Sequence, residues 1–185
     1  MKFCSACGRE LARLVPPGDE RLRHVCAGCG KIHYENPRVV VGALATWEGK
    51  VLLCRRAIEP RTGFWTLPAG FMELAETTEE AAVREAWEEA RAKIEVTGLL
   101  ALYDLRHIDQ VQVFYAARLL DPAVAPGPES QAVGLFGWED IPWQELAFPT
   151  VHRALHYHRA IAGPGYPPDR GLSGPPGQCP VSGTP

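Results

Sequence analysis

"AGFMELAETTEEAAVREAWEEARA", residues 69–92, places Glu73, Glu76, Glu79, Glu80, Glu85, Glu88 and Glu89 in one short stretch. Like charges three or four residues apart on a helix repel by roughly 0.2–0.5 kcal/mol per pair. The run is therefore either a solvated acidic face or a face that binds something positive. Thr77, with Glu80 three residues later, forms a capping box that starts the helix. At about 100° per residue, Val83, Ala86, Trp87 and Ala90 fall on one side, while Glu85, Glu88 and Glu89 fall on the other. This pattern predicts Trp87 in the core and three carboxylates pointing together away from it.

The approach to the helix favours binding over mere solvation. The loop "FWTLPAGFMELAE", residues 64–76, adds Glu73 and Glu76, and Pro68 and Gly70 let it turn back over the helix. Oxygen-rich clusters suit Mg2+ or Mn2+, which bind through carboxylates, waters and substrate phosphates.

On either side the periodicity changes. "RVVVGALATW" and "KVLLCRR" are β-rich runs joined at Glu48-Gly49, which predicts a hairpin. "EVTGLLALYDL" reads as a strand interrupted at Gly98, and "QVQVFYAARLL" as a largely buried strand. "PTVHRALHYHRAIA" reads as a helix with Thr150 as its N-cap. Strands interleaved with two helices predict helices packed on a mixed sheet.

The stretch before residue 38 differs. Cys4-Ser-Ala-Cys7-Gly8 and Cys26-Ala-Gly-Cys29-Gly30 are paired C-x2-C knuckles, a spacing that predicts a closed four-cysteine zinc site. The glycine after each pair suits a tight turn at positive φ. A module this small has too little core to fold alone, so structural Zn2+ would stabilise it. Four thiolates complete the shell, so His24 and His33 read as non-ligands. Cys54 reads as a small core residue, and Cys179 needs no role. The domains are thus 1–37, a zinc ribbon; 38–162, the main domain; and 163–185, a Gly/Pro-rich tail expected to be disordered.

Composition bounds the rest. Of 185 residues, 46% are hydrophobic, enough for a sizeable core. A formal net charge of −3 argues against nucleic acid or an acidic membrane as a partner. No apolar run is long enough to span a membrane. "MKFCSACGRE" is no secretory signal, so the cytoplasm is the expected compartment.

Gly70, Glu76, Arg84, Glu85, Glu88 and Glu89 have the spacing of the Nudix box, and residues 38–162 resemble the Nudix hydrolases. The resemblance implies an α/β/α sandwich around a mixed β-sheet and Mg2+-dependent hydrolysis of a diphosphate in a nucleoside diphosphate-linked compound. It implies Glu85, Glu88, Glu89 and the Ala69 carbonyl as metal ligands, Arg84 as the residue that orients the carboxylates, and Glu76 as a brace for the loop. The general base stays open among Glu85, Glu89 and Glu129. Arg55, Arg56 and Arg61 precede the box, where arginine forks suit phosphate. Arg55, Arg56 and Glu73 are the candidate substrate contacts.

Three positions depart from the family pattern: Ala75 and Arg91, where relatives have glycine, and Ala132, where relatives often have a second downstream Glu. With the ribbon, "VCAGCGKIHYENPRVVVGAL", "KVLLCRRAIEPRTGFWTLPAGFMELAE" and "PGPES" resemble the FAD-cleaving Nudix pyrophosphatases, implying FAD to FMN and AMP. NADH and ADP-ribose pyrophosphatases are the alternatives. The S-Q-P-W-P-F-P-x-S signature of the NADH enzymes is missing, and Ile108 stands where ADP-ribose enzymes often have proline. An alternative of another class is an inactive nucleotide- or RNA-binding regulator, which the intact Arg84, Glu85, Glu88 and Glu89 argue against. By analogy the resemblance raises a homodimer. Trp65 reads as loop packing rather than base stacking. His152 and His156, four apart, read as exposed, since the other parts of a metalloprotease site are missing.

Overall fold

The computed structural model of the chain describes residues 1–161 and the backbone of 169–171. It divides into two compact units, residues 1–37 and 38–185. The first unit is a three-stranded antiparallel sheet: β1 (Leu11–Leu14), β2 (Arg23–Cys26) and β3 (Ile32–His33). Its two knuckles repeat one backbone pattern. The Cys4 N–H bonds the Arg9 carbonyl and the Gly8 N–H returns to Cys4. The Cys26 N–H bonds Lys31 and the Gly30 N–H returns to Cys26. Gly8 and Gly30 sit at φ 71° and 73°, as such turns require.

The second unit is built on an eight-stranded mixed sheet. Along it run β10 (Ser130–Phe136), β5 (Lys50–Arg56), β4 (Arg38–Trp47), β9 (Gln110–Leu119), β8 (Ile94–Leu105) and β11 (Asp169–Gly171). Two short strands join this path: β6 (Trp65–Thr66) on β5 and β7 (Ala69–Phe71) on β4. β4 and β9 are parallel, β8 and β9 antiparallel. The Glu48-Gly49 hairpin forms as expected, and the ladder slips at Gly98.

Period-two alternation sends successive β4 and β5 residues to opposite faces. Val41, Ala43, Ala45, Leu52 and Cys54 join the core under α1 (Thr78–Ala90). Leu44, Val51 and Leu53 join the core under α2 (Pro149–Ala160). One helix on each face gives the expected α/β/α sandwich.

Thr77 caps α1, and the full capping box is present. The buried face of α1 differs from expectation. Ala81, Ala82, Ala86 and Ala90 are fully buried, and Glu85 and Glu89 lie among them at 7% and 6% exposure. Val83 and Trp87, expected in the core, are 40% and 46% exposed. Alanines let helix and sheet approach closely, leaving no room for an indole. Trp87 instead stands outside, beneath the Arg91 guanidinium at 5.6 Å.

Two further expectations change. Helix α2 is preceded by Phe148 with Pro149 at its first turn, so Thr150 is not the cap. Proline suits that turn, where its missing N–H has no partner to lose. Within the stretch read as disordered, Asp169–Gly171 pairs in parallel with Ala101–Tyr103 of β8. The outer edge of β8 offers the unpaired backbone groups such a strand needs. Residues 162–168 and 172–185, with Cys179, lie outside the described residues.

Candidate active site

The stretch from β7 into α1 forms one hydrogen-bonded assembly around Arg84. Its Nε and Nη2 clasp the two oxygens of Glu76 at 3.0 and 2.8 Å. Its Nη1 reaches Glu85 at 2.7 Å and Glu88 at 3.1 Å, and Nη2 also bonds the Phe71 carbonyl at 3.1 Å. This planar fork ties the loop to the helix in a way a lysine's point charge does not. Glu76 also accepts the Glu73 N–H and, with Arg84 first among the causes, is held down to about 2. Glu73 itself is exposed.

Glu85 and Glu89 share the buried face. Burial raises both carboxyls, Glu89 to about 8. The Ala69 N–H donates to Glu89 Oε2 at 3.2 Å. Gly70 lies so close to Glu85 that an added Cβ would fall on its carboxylate. This close approach is the physical reason for glycine here. Glu88 is the exposed member, with 54% of its side chain accessible.

Glu129 reaches the same place by another route. The loop ahead of β10 docks on the end of α1, with the Ala125 N–H bonding Ala90 O and the Gly127 N–H bonding Glu89 O, both at 2.9 Å. Glu129 is exposed, yet its charge bears on both Glu85 and Glu89. Ala132 pairs with Arg55 and offers no carboxylate.

The two arginines named as candidate substrate contacts lie on opposite faces of β5. Arg56 acts on Glu89, hydrogen-bonds the Pro60 carbonyl at 2.7 Å and lies over the Phe148 ring at 5.2 Å. Alternation puts Arg55 on the other face of β5. There it bonds Gly63 O at 2.8 Å and lines a cleft of about 320 Å³ with Thr62, Phe64 and Glu145. Arg61 covers Phe64 at 5.2 Å.

Sequence reading missed the floor beneath Glu89. The buried Cys54 thiol lies there, pushed up by burial and by the charge of Glu89, with the buried Ser130 beside it. Nothing local marks Cys54 as different from any small core residue. Trp65 packs edge-on against Phe136 at 4.9 Å, as expected of a packing residue. His156 is exposed and stacks on Trp143 at 4.7 Å; His152 is only half-buried, packed near the same ring.

In the first unit, the Sγ atoms of Cys4, Cys7, Cys26 and Cys29 lie within 4.8 Å of one another. The Cys4–Cys29 and Cys7–Cys26 pairs are 3.7 and 3.4 Å apart. A tetrahedral Zn2+ with bonds of about 2.3 Å spaces its sulfurs about 3.8 Å apart, so the set fits that ion. Among the described residues this is the one group of histidines, cysteines and acids found within such a span.

Comparison with known families matches residues 36–158 to the NUDIX domain. The chain belongs to the Nudix hydrolase family. Residues 2–35 match the Nudix N-terminal zinc ribbon. A crystallised NUDIX hydrolase from Nitrosomonas europaea is 47% identical, with 92% of this chain and 98% of that one aligned at a TM-score of 0.86. An ADP-ribose pyrophosphatase from Methanocaldococcus jannaschii is 30% identical over 62% of this chain and 69% of its own length. A NAD-capped RNA hydrolase, NudC, from Chromobacterium violaceum is 35% identical over half of this chain and only 33% of its own length. This Nudix chain is an enzyme of the hydrolase class, and no helix among its described residues is long and apolar enough to cross a membrane.

Proposed function

We propose that the chain hydrolyses the diphosphate of a nucleoside diphosphate-linked compound, with a divalent Mg2+ or Mn2+ held by Glu85, Glu88, Glu89 and the Ala69 carbonyl. One observation carries this reading: two buried carboxylates, Glu85 and Glu89, share a face with Glu129 close enough to raise both. Such crowding, which Arg84 and Arg56 offset only in part, suits a doubly charged cation. When bound, that cation would neutralise charge on the diphosphate and make a bound water more acidic, and so a better nucleophile.

The chain's own groups prepare the site. Arg84, on the same helix and tied to the loop through Glu76, holds Glu85 and Glu88 in place, and the Ala69 N–H fixes Glu89. Arg56, beside Glu89, is the arginine of the pair suited to the diphosphate. Arg55, in its own cleft, would meet the substrate only beyond the bond that breaks. Glu129 is the first proton acceptor to test, because it is exposed while Glu85 and Glu89 are committed to the cation. In the ribbon, Cys4, Cys7, Cys26 and Cys29 would hold a structural Zn2+.

ADP-ribose is the first substrate to examine, because the archaeal relative is an ADP-ribose pyrophosphatase aligned over most of its length. FAD, expected from the sequence resemblance, is the second, with FMN and AMP as products. The deciding assay incubates the full chain and Mg2+ with ADP-ribose, FAD and NADH and separates the products. Hydrolysis of any of the three at its diphosphate supports the proposal, and their relative rates rank the substrates. No turnover by a chain that binds Mg2+ would instead favour a nucleotide-binding regulator.

A further inference from the structure

The two ribbon knuckles are near-duplicates in backbone, yet one thiol has a neighbour the other lacks. His33 is 92% buried by its 8% exposure, and its Nε2 is enclosed without a hydrogen-bond partner. Cys4, itself only 3% exposed, has its thiol pulled down first by the Ala6 N–H and next by the neighbouring His33 side chain, though no hydrogen bond joins the two in this structure. The Cys26 knuckle is served by backbone donors from Cys29 and Gly28, with no histidine in the corresponding place. Across the sheet from His33, His24 faces Glu35 at 3.5 Å instead.

A buried polar nitrogen without a partner destabilises the fold. The position therefore calls for a compensating acceptor. Four thiolates around one Zn2+ leave the centre with two excess negative charges, and Cys4 and Cys26 carry theirs on the buried side. N–H donors to metal-bound sulfur disperse that charge and hold the ligand's orientation. The Ala6 N–H already lies 3.4 Å from Cys4 Sγ. We infer that His33, as a neutral imidazole outside the coordination shell, is a positioning residue that donates a side-chain hydrogen bond to the Cys4 thiolate of the zinc-loaded ribbon. It makes the Cys4 half of the centre the better-held half. This inference rests on the zinc reading of the four cysteines, not on the diphosphatase reading.

The test compares the full chain with His33→Phe, which keeps a ring and loses the donor, and His33→Gln, which keeps a donor. Zinc content is measured first, then the rate of zinc transfer to a chromogenic chelator, then the thiolate-to-metal absorption of the Co2+-loaded protein. His33→Phe should release zinc about 10- to 100-fold faster and shift the absorption, while His33→Gln stays close to the parent. Equal release rates and spectra for the parent and His33→Phe would reduce His33 to packing and overturn the inference. So would a parent spectrum with mixed nitrogen and sulfur ligands, since His33 would then be a ligand. If His33→Phe fails to fold, faster release from His33→Ala than from His33→Gln supports the donor role, and equal release overturns it. A parent without zinc sinks the metal-centre reading, and this assignment with it.

Discussion

Gly127 lies directly against the backbone carbonyl of Glu88, with no room for a side chain between them. Its N–H bonds the next carbonyl, that of Glu89, at 2.9 Å. The loop carrying Glu129 is thus anchored to the turn carrying two of the proposed metal ligands. Gly127→Ala should push the two apart, lowering stability by about 1–3 kcal/mol, as overpacking does, and lowering turnover as well. Glu129→Gln should lower turnover with stability unchanged. Denaturant unfolding beside a rate assay separates the two. A Gly127→Ala protein with parental turnover would show that Glu129's position does not matter.

Glu89 should make the metal-free protein pH-sensitive. Its carboxyl rises from an ordinary 4.5 to about 8 on folding, mainly through burial. A raised acid favours the folded state at low pH, and the advantage fades as pH climbs. Stability without metal should therefore fall between about pH 5 and pH 8. Added Mg2+ should restore it above pH 8, since a ligand of the folded state stabilises it. Glu89→Gln should flatten the profile. Unfolding in chelator and in Mg2+ across that range provides the check, and a flat parental profile in chelator would count against it.

Glu88→Gln and Glu89→Gln should resemble each other in activity and differ in stability. Losing a ligand removes several kcal/mol of charge stabilisation, so both should slow turnover by ~100-fold or more. Glu88 is half-exposed and bonded to Arg84, so its loss should change metal-free stability by less than about 1 kcal/mol. Glu89→Gln relieves a buried charge and should raise the metal-free melting temperature at pH 8. Equal Mg2+ stabilisation of the parent and both variants would remove these carboxylates from the metal site.

Arg91 and Ala75 both occupy left-handed backbone, at φ 51° and 64°. A non-glycine residue there costs roughly 1 kcal/mol. Arg91 recovers part of it, because its guanidinium covers Trp87 and reaches the Trp87 carbonyl at 3.3 Å. Ala75 has no such side-chain contact to make. Ala75→Gly should therefore stabilise by more than Arg91→Gly, and both should leave turnover nearly unchanged. The reverse order in denaturant unfolding would mean that the Arg91 contact with Trp87 is worth little.

Arg84→Lys keeps the charge and loses the fork. It should free Glu76 from its two-point clasp and lower turnover more than it lowers Mg2+ affinity. Isothermal titration with Mg2+ beside a rate assay would show it, and parental turnover would sink the assignment.

Much of this arrangement was legible in the sequence. The helix start at Thr77, the strand alternation and the cysteine pairs are local, and local chemistry dictates them. The orientation of α1 was not legible. Period counting favoured Trp87 because it weighs large side chains, whereas the packing was decided by four alanines. The separation of Arg55 from Arg56 was readable from period two alone, but only once β5 was known to run through both. The docking of Gly127 on Glu88, Cys54 beneath Glu89 and the His33 approach to Cys4 join residues far apart in sequence. No spacing announces such pairs.

The alanine face of α1 also bears on how this fold tolerates change over generations. Ala81, Ala82, Ala86 and Ala90 act as a spacer one methyl group thick between helix and sheet. The height at which Glu85 and Glu89 ride over β7 is set by that thickness. A larger residue at any of the four would lift the whole row of carboxylates together, away from Ala69 and Gly70. Inheritance of the chemistry thus depends on keeping the plainest side chains small, at positions that touch neither cation nor substrate.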